Sequence, residues 1–175
     1  MAIDLNLRLK AKSIKLVAFD VDGVMTDGSL TYLPNGEQIK TFDAKDGQGI
    51  VMLNKAGFLT AIITAKSSNV VLERAKTLGI TKVFTGQTNK LKALKSLLEE
   101  YKLEASNVAY MGDDCPDLCV INEVGLSSCP NDAIEDVKNS VSFVSSKNGG
   151  RGAIRELCDL ILSSNGITYD TLVKN

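Results

Sequence analysis

The sequence predicts an α/β fold: a mostly parallel, Rossmann-like sheet with helices on both faces, in three α/β/α layers. Three observations carry that prediction. Short apolar runs alternate with segments of helical period in βαβα order. Glycines at 57 and 79 stand where predicted helices stop and strands begin. Hydrophobic residues make up 44% of 175, enough for one sizeable core, so a single domain is expected over 1–175 with its core at about 14–162.

The elements follow in order. Ile14–Phe19 is an apolar run that reads as a buried strand, stopped by the turn Asp22-Gly23. Ser29–Phe42 contains Leu-Thr-Tyr-Leu, then Pro-Asn-Gly, then Glu-Gln-Ile-Lys-Thr-Phe, the pattern of a β-hairpin. Asp46 is the expected cap of a helix running to Lys55, and Phe58–Thr64 is a strand. Ser67 or Ser68 caps a helix through Leu78, and Lys82–Phe84 is a short strand. Thr88–Tyr101 is amphipathic, with Leu91, Leu94, Leu97 and Leu98 on one helical face. Val108–Met111 is a strand ending in Gly112-Asp113-Asp114, and a short helix is expected over about Asp117–Glu123. Gly125–Ser128 and Ser142–Val144 read as strands, Gly149–Gly152 as a loop, and Ala153–Leu162 as the last long helix. The ends, Met1–Lys10 and Gly166–Asn175, read as loosely held.

Composition excludes several kinds of function. A net charge of −1 without a basic cluster excludes nucleic acid as a partner. No apolar run approaches the ~20 residues of a membrane span. The chain has no histidine, which removes Ser-His-Asp and Cys-His catalysis and histidine-ligated zinc. Cys115 and Cys119 lack zinc-ribbon spacing, and no second pair follows. With Cys129 and Cys158 they read as reduced thiols of a cytoplasmic protein, and Met1–Lys10 lacks the apolar centre of a signal peptide.

Candidate chemistry sits just after the predicted strands. Asp20 and Asp22 follow the first, Thr64 the second, and Asp113, Asp114 and Asp117 follow Val108–Met111, while Lys90 opens a helix. Two carboxylates so close repel, and need a cation or a proton between them. The set Asp20 plus Gly-Asp-Asp-x-x-Asp suits a hard cation with oxygen ligands such as Mg²⁺. A hydroxyl and a lysine are what a phosphoryl group needs for hydrogen bonds and charge neutralisation, and a carboxylate can attack phosphorus. Singly, Asp113-Asp114 reads as a helix cap, Thr64 as a strand-end residue and Lys90 as a solvated lysine. Their joint occurrence in this order points to phosphoryl transfer.

These motifs resemble the haloacid-dehalogenase superfamily of phosphatases, over roughly Ile14 to Leu162. The family pattern D-x-D-G-x-x-T/S matches Asp20-Val-Asp22-Gly-Val-Met-Thr26, the strand-end Thr/Ser matches Thr64, the lysine matches Lys90, and the acidic motif matches Gly112-Asp113-Asp114. The resemblance implies that Asp20 attacks phosphorus and that Asp22 protonates the leaving oxygen and then deprotonates water. It implies that Thr64 and Lys90 hold phosphoryl oxygens and that Mg²⁺ is bound by Asp20, the carbonyl of Asp22, and Asp113. Asp114 positions that shell, with Asp117 beside it.

Only 25 residues separate Thr64 from Lys90, and only the hairpin follows Asp22, so no cap domain is expected. Within the capless members the chain is similar to those that hydrolyse 3-deoxy-D-manno-octulosonate 8-phosphate in lipopolysaccharide precursor synthesis. The strings are Asp-Val-Asp-Gly-Val-Met-Thr-Asp-Gly (20–28), Phe-Asp-Ala-Lys-Asp-Gly-Gln-Gly-Ile (42–50), Asn-Val-Ala-Tyr-Met-Gly-Asp-Asp (107–114) and Gly-Gly-Arg-Gly-Ala-Ile-Arg-Glu (149–156). By that similarity Lys45 and Lys66 join Asp22 and Thr64 in binding substrate, and the Gly149–Gly152 loop, whose glycines permit close approach, is expected to carry the Arg151 donor fork to the substrate at a neighbouring site. The usual Thr-Gly-Arg is here Thr64-Ala65-Lys66, which keeps the charge but loses the bidentate fork. Relatives acting on nine-carbon 2-keto-3-deoxy sugar acid 9-phosphates also vary there. A phospho-receiver-like domain, or an inactive phosphatase fold used for interaction, would share some motifs, but Asp22 serves turnover. An open site implies a neighbouring subunit as its wall. A homo-oligomer is therefore expected around the hairpin, whose Leu30, Tyr32, Leu33, Ile39 and Phe42 need apolar cover, and the resemblance implies a homotetramer.

Overall fold

A computed structural model describes residues 4–173. Helix α1 (Leu5–Ser13) leads into β1 (Leu16–Phe19), followed by the hairpin strands β2 (Thr31–Tyr32) and β3 (Gln38–Ile39). Then come α2 (Ala44–Lys55), β4 (Leu59–Ile63), α3 (Asn69–Leu78), β5 (Lys82–Phe84) and α4 (Lys90–Tyr101). Strand β6 (Val108–Met111) runs into a 3₁₀ turn at Cys115–Asp117 and α5 (Leu118–Ile121). The chain closes with β7 (Leu126–Cys129), α6 (Glu135–Lys138), β8 (Phe143–Val144), α7 (Ala153–Ser164) and α8 (Tyr169–Val173).

The main sheet has six strands in the order β5-β4-β1-β6-β7-β8, all pairs parallel. Strand β1 is central, with Phe19 opposite Ile62 on one side and Met111 on the other. The chain moves outward through β4 and β5, then returns past β1 to β6. The carboxyl ends of β1, β4 and β6 therefore border the crevice where strand order reverses, the usual ligand position in such sheets.

Buried on both faces, β1 (Leu-Val-Ala-Phe) has no polar side chain. Val17 and Phe19 join a cluster with Ile50, Leu53, Leu157 and Ile161 of α2 and α7, while Leu16 and Ala18 join one with Leu94 and Leu97 of α4. This is the alternation of side chains that a strand imposes. Among the described residues no helix is long and apolar enough to cross a membrane.

Four local features differ from expectation. Asp43, not Asp46, caps α2, accepting from the N–H groups of Lys45 and Asp46. Asp46 is buried and accepts instead from the N–H groups of Gly152 and Arg155 at the start of α7. The ends are held: Asp4 caps α1, whose Leu7 and Ala11 pack on the core, and Ile167 and Leu172 of the C-terminal segment pack on the same core. The expectation for Met1–Ile3 and for residues 174–175 lies outside the described residues. Finally, α6 has no counterpart among the expected elements, because one turn is too short to show a period.

The hairpin forms where expected, with Leu33 N–H bonded to the Glu37 carbonyl across Pro34-Asn35-Gly36. Leu30, Tyr32, Leu33 and Ile39 remain exposed on it, whereas Phe42 packs on the core.

Candidate active site

The site is built on the loop that leaves β1. Asp20 N–H still pairs with the Met111 carbonyl at 3.0 Å, so its backbone is fixed by the sheet edge. Beyond it the chain folds tightly, with the N–H groups of Val24, Met25 and Thr26 all directed to the Val21 carbonyl. The Thr26 hydroxyl donates to that carbonyl and accepts from Gly23 and Gly28 N–H, which explains a hydroxyl residue six positions after Asp20. Gly23 has φ +83°, and a Cβ there would lie 2.0 Å from Asp113 Oδ2. Glycine is required because the carboxylate of the other acidic loop occupies that space.

The second loop, after β6, is organised by Asp117. Its Oδ1 accepts from Lys90 Nζ at 2.7 Å and from the Tyr110 hydroxyl at 2.5 Å. Its Oδ2 accepts from the N–H groups of Asp113 and Asp114 at 3.1 and 3.2 Å. Asp114 is exposed and caps the 3₁₀ turn, accepting from Cys115 N–H. Lys90, the first residue of α4, is buried and also reaches Asp20 Oδ2 at 2.7 Å.

Carboxylate oxygens of Asp20, Asp113 and Asp117 lie within 4.8 Å of one another. Four donors already fill the Asp117 carboxylate, so it orients its neighbours rather than offering a ligand atom. Asp113 Oδ1 is different: it is buried without a hydrogen-bond partner. Burial, reinforced by repulsion from Asp117, Asp20 and Asp114, raises the Asp113 carboxyl to about 8. Burial and Asp117 raise Asp20 to about 6, against the lowering pull of Lys90. Burial pulls the Lys90 ammonium down, but Asp20 and Asp117 outweigh it and hold it above the usual lysine range. An orphaned oxygen beside a second carboxylate, in an all-oxygen environment, fits a hard divalent cation such as Mg²⁺.

These groups open into one cavity of about 280 Å³, lined also by Asp22, Thr64, Lys66 and Leu30. Thr64 is buried at the end of β4, where its N–H bonds the Phe84 carbonyl at 2.9 Å. Lys66 is half-exposed, with Nζ 3.8 Å from Asp22 Oδ2. Lys45 and Arg151 are not brought into this cavity. They line a separate depression of about 300 Å³ with Lys147 and Arg155, and Arg151 pairs with Asp27 Oδ2 at 3.1 Å. The reason lies in the Gly149–Gly152 loop, which packs flat against the loop that leaves β1. Gly150 N–H bonds the Val24 carbonyl, and a Cβ on Gly149 would meet the Gly23 carbonyl oxygen at 1.8 Å.

Known proteins resemble this chain in sequence and fold. The model for haloacid dehalogenase-like hydrolases matches residues 54–157, more than half of the chain. The 3-deoxy-D-manno-octulosonate 8-phosphate phosphatase KdsC of Escherichia coli strain B is 42% identical over 164 residues, covering 94% of this chain and 87% of that protein. The chain belongs to the haloacid dehalogenase-like hydrolases. Among solved structures, the 3-deoxy-D-manno-octulosonate 8-phosphate phosphatase of Moraxella catarrhalis, in complex with magnesium, phosphate and KDO, superposes with a TM-score of 0.93 at 40% identity, covering 98% of both chains. The cobalt-bound phosphatase YrbI of Haemophilus influenzae does so with a TM-score of 0.89 at 39% identity, covering 95% of this chain and 99% of that one.

Two residues of this haloacid dehalogenase-like site were not singled out in the sequence. Tyr110 is a buried strand residue whose hydroxyl locks Asp117; burial and Asp117 push its phenol well up. Its signal was a polar tip inside an otherwise apolar strand. Lys40, on the hairpin, forms an ion pair with Asp22 Oδ1. Nothing in the spacing could have paired residues on two separate loops.

Proposed function

We propose that this chain is a Mg²⁺-dependent phosphomonoesterase that releases phosphate from 3-deoxy-D-manno-octulosonate 8-phosphate by way of an aspartyl-phosphate. The observation that carries the reading is the orphaned Asp113 oxygen beside Asp20, next to the Lys90 ammonium. Nucleophile, cation seat and fixed positive charge thus share one cavity. The relatives' substrate supports the choice of sugar acid.

In this mechanism the Asp20 carboxylate attacks phosphorus and the bond to the sugar oxygen breaks. Asp22 gives that oxygen its proton. Asp22 then takes a proton from water as the water attacks the aspartyl-phosphate, freeing Asp20 and inorganic phosphate. Lys90 and Thr64 hold the phosphoryl oxygens. Asp20, Asp113 and the backbone carbonyl of Asp22 would hold Mg²⁺, which when bound neutralises charge developing on phosphorus. Asp114 and Asp117 keep the acidic loop in place. Lys66, at the cavity mouth, is placed to meet the sugar-acid carboxylate as a single point charge.

The hairpin stands where other members of the family carry a cap domain. Its exposed Leu30, Tyr32, Leu33 and Ile39 support packing between copies, most simply as a homotetramer. Lys45 and Arg151, outside this chain's own cavity, could serve catalysis only at a neighbour's site. The reading places the protein in the cytoplasm, as one catalytic domain in lipopolysaccharide precursor synthesis.

The experiment is phosphate release from 3-deoxy-D-manno-octulosonate 8-phosphate and from a nine-carbon sugar-acid 9-phosphate, each with and without Mg²⁺. Metal-dependent turnover preferring the eight-carbon ester is expected. Preference for the nine-carbon ester would reassign the substrate, and no release from either would overturn the enzymatic reading.

A further inference from the structure

Lys40 is the one lysine of the hairpin, and its burial does not match its surroundings. Tyr32 and Ile39, on the two hairpin strands, are exposed at 61% and 46%, yet the Lys40 side chain is 2% exposed. Removing an ammonium from water is costly unless it gains a partner. The partner is Asp22 Oδ1, contributed by the loop after β1 and 18 residues away in sequence. The contact is charge-assisted, the stronger class of hydrogen bond. Among the described residues the other oxygen, Oδ2, pairs only with Lys66, at 3.8 Å, on a half-exposed side chain. Asp22 itself is a short side chain on a loop, and among the described residues its carboxylate accepts no hydrogen bond from the backbone. One of its oxygens is therefore fixed from the hairpin, while the other has as its neighbour Lys66, which with Asp22 lines the cavity.

We propose that Lys40 is a positioning residue: by gripping Asp22 Oδ1 it aims Oδ2 at the oxygen of the leaving sugar, so the hairpin takes a direct part in the first chemical step. This rests on the phosphatase reading and on the acid–base role of Asp22. It also gives the hairpin a task besides covering the site, because displacing the hairpin would release the carboxylate on which proton delivery depends. The competing explanation is that Lys40 only anchors the hairpin to the domain.

The leaving group separates the two. A sugar alkoxide needs a proton as it departs, whereas p-nitrophenolate does not. Lys40→Met should lower kcat/KM on 3-deoxy-D-manno-octulosonate 8-phosphate by about tenfold or more, and on p-nitrophenyl phosphate by less than about threefold. Lys40→Arg should restore most of the loss on the sugar phosphate. In an Asp22→Asn background, Lys40→Met should cost less than about threefold further, since the carboxylate it aims is gone. Lys40→Gln, which keeps a donor on a similar stem, carries the same comparison should the methionine variant fold poorly. Equal losses on both esters, or an undiminished effect in the Asp22→Asn background, would overturn the proposal and leave Lys40 as an anchor. A wild-type enzyme inactive on both esters would instead overturn the phosphatase reading beneath it.

Discussion

Without metal, this protein should lose stability as pH rises from 6 to 8, and Mg²⁺ should cancel the loss. The perturbation is pH alone, and the chain is suited to it because no histidine titrates in this window. Asp113 has its carboxyl raised from 3.8 to about 8, chiefly by burial and then by repulsion from Asp117 and Asp20. A group whose folded value lies above its unfolded value binds more protons in the folded state between the two. Stability then falls as pH rises through that interval and levels off above the folded value. One proton corresponds to at most about 1.4 kcal/mol per pH unit. For a chain of this size that is roughly 3–5 °C in Tm per unit between pH 6 and 7, tapering towards 8. Asp20, raised to about 6, adds the same sign at the lower end. The lowered Asp27 and Glu156 titrate below this window, and the raised Tyr110 and Cys129 above it. The assay is thermal unfolding in chelator at pH 6, 7 and 8, repeated with excess Mg²⁺ and with Asp113→Asn. The metal binds the deprotonated carboxylates, so its stabilisation should grow with pH, and Asp113→Asn should flatten the metal-free slope. A metal-free Tm that is constant or rising from pH 6 to 8, or a slope that survives Asp113→Asn, would refute the reasoning.

Asp20→Asn should abolish turnover with Tm unchanged or higher, because a buried charge is removed along with the nucleophile; activity within about tenfold of wild type would exclude the covalent route. EDTA should stop phosphate release and Mg²⁺ restore it, and full activity in chelator would remove the metal from the reading. Inorganic phosphate should raise Tm only when Mg²⁺ is present, since without it the anion meets an excess of carboxylates; equal protection in chelator would contradict that order. Gly149→Ala should lower Tm by several degrees, an overpacking cost of roughly 1–3 kcal/mol, because its Cβ would meet the Gly23 carbonyl oxygen at 1.8 Å. A variant as stable and active as wild type would mean that the two loops are not braced against each other.

Much of the fold was legible because its main signals are local. Leu16–Phe19 can only be a strand buried on both faces, and Leu94 and Leu97 at helical spacing can only face a core. Asp20, Thr64, Lys90 and Asp113 were legible for a related reason: each follows a strand or opens a helix, and a parallel sheet gathers such positions at one edge. What was not legible depends on which loops touch. Asp46 looked like a cap because a nearer one, Asp43, sits three residues before it, and its true partners belong to α7, more than a hundred residues on. The place of Arg151 was not legible either: the glycines beside it let the loop lie flat on the backbone of residues 23–26, which leaves Arg151 paired with Asp27 rather than in this chain's own cavity. Lys40 and Tyr110 escaped because each is bonded to a carboxylate on another segment.

The charges explain why these indirect residues matter. Five carboxylates line the cavity, Asp20, Asp22, Asp113, Asp114 and Asp117, against three ammoniums on Lys40, Lys66 and Lys90; Lys40 meets the cavity through Asp22. The formal excess is two negative charges, the charge one divalent cation supplies. That excess is not spread evenly. Asp22 shares two of the lysines, and Asp117 is saturated by Lys90, Tyr110 and two backbone N–H groups. Asp114 is exposed and screened by water. The deficit falls on Asp113, half-buried with one buried oxygen unpaired, and on Asp20, whose one ammonium it shares with Asp117. Satisfying three acids thus concentrates the unmet charge on the other two, and these are the residues to which the proposed mechanism gives the cation and the attack on phosphorus.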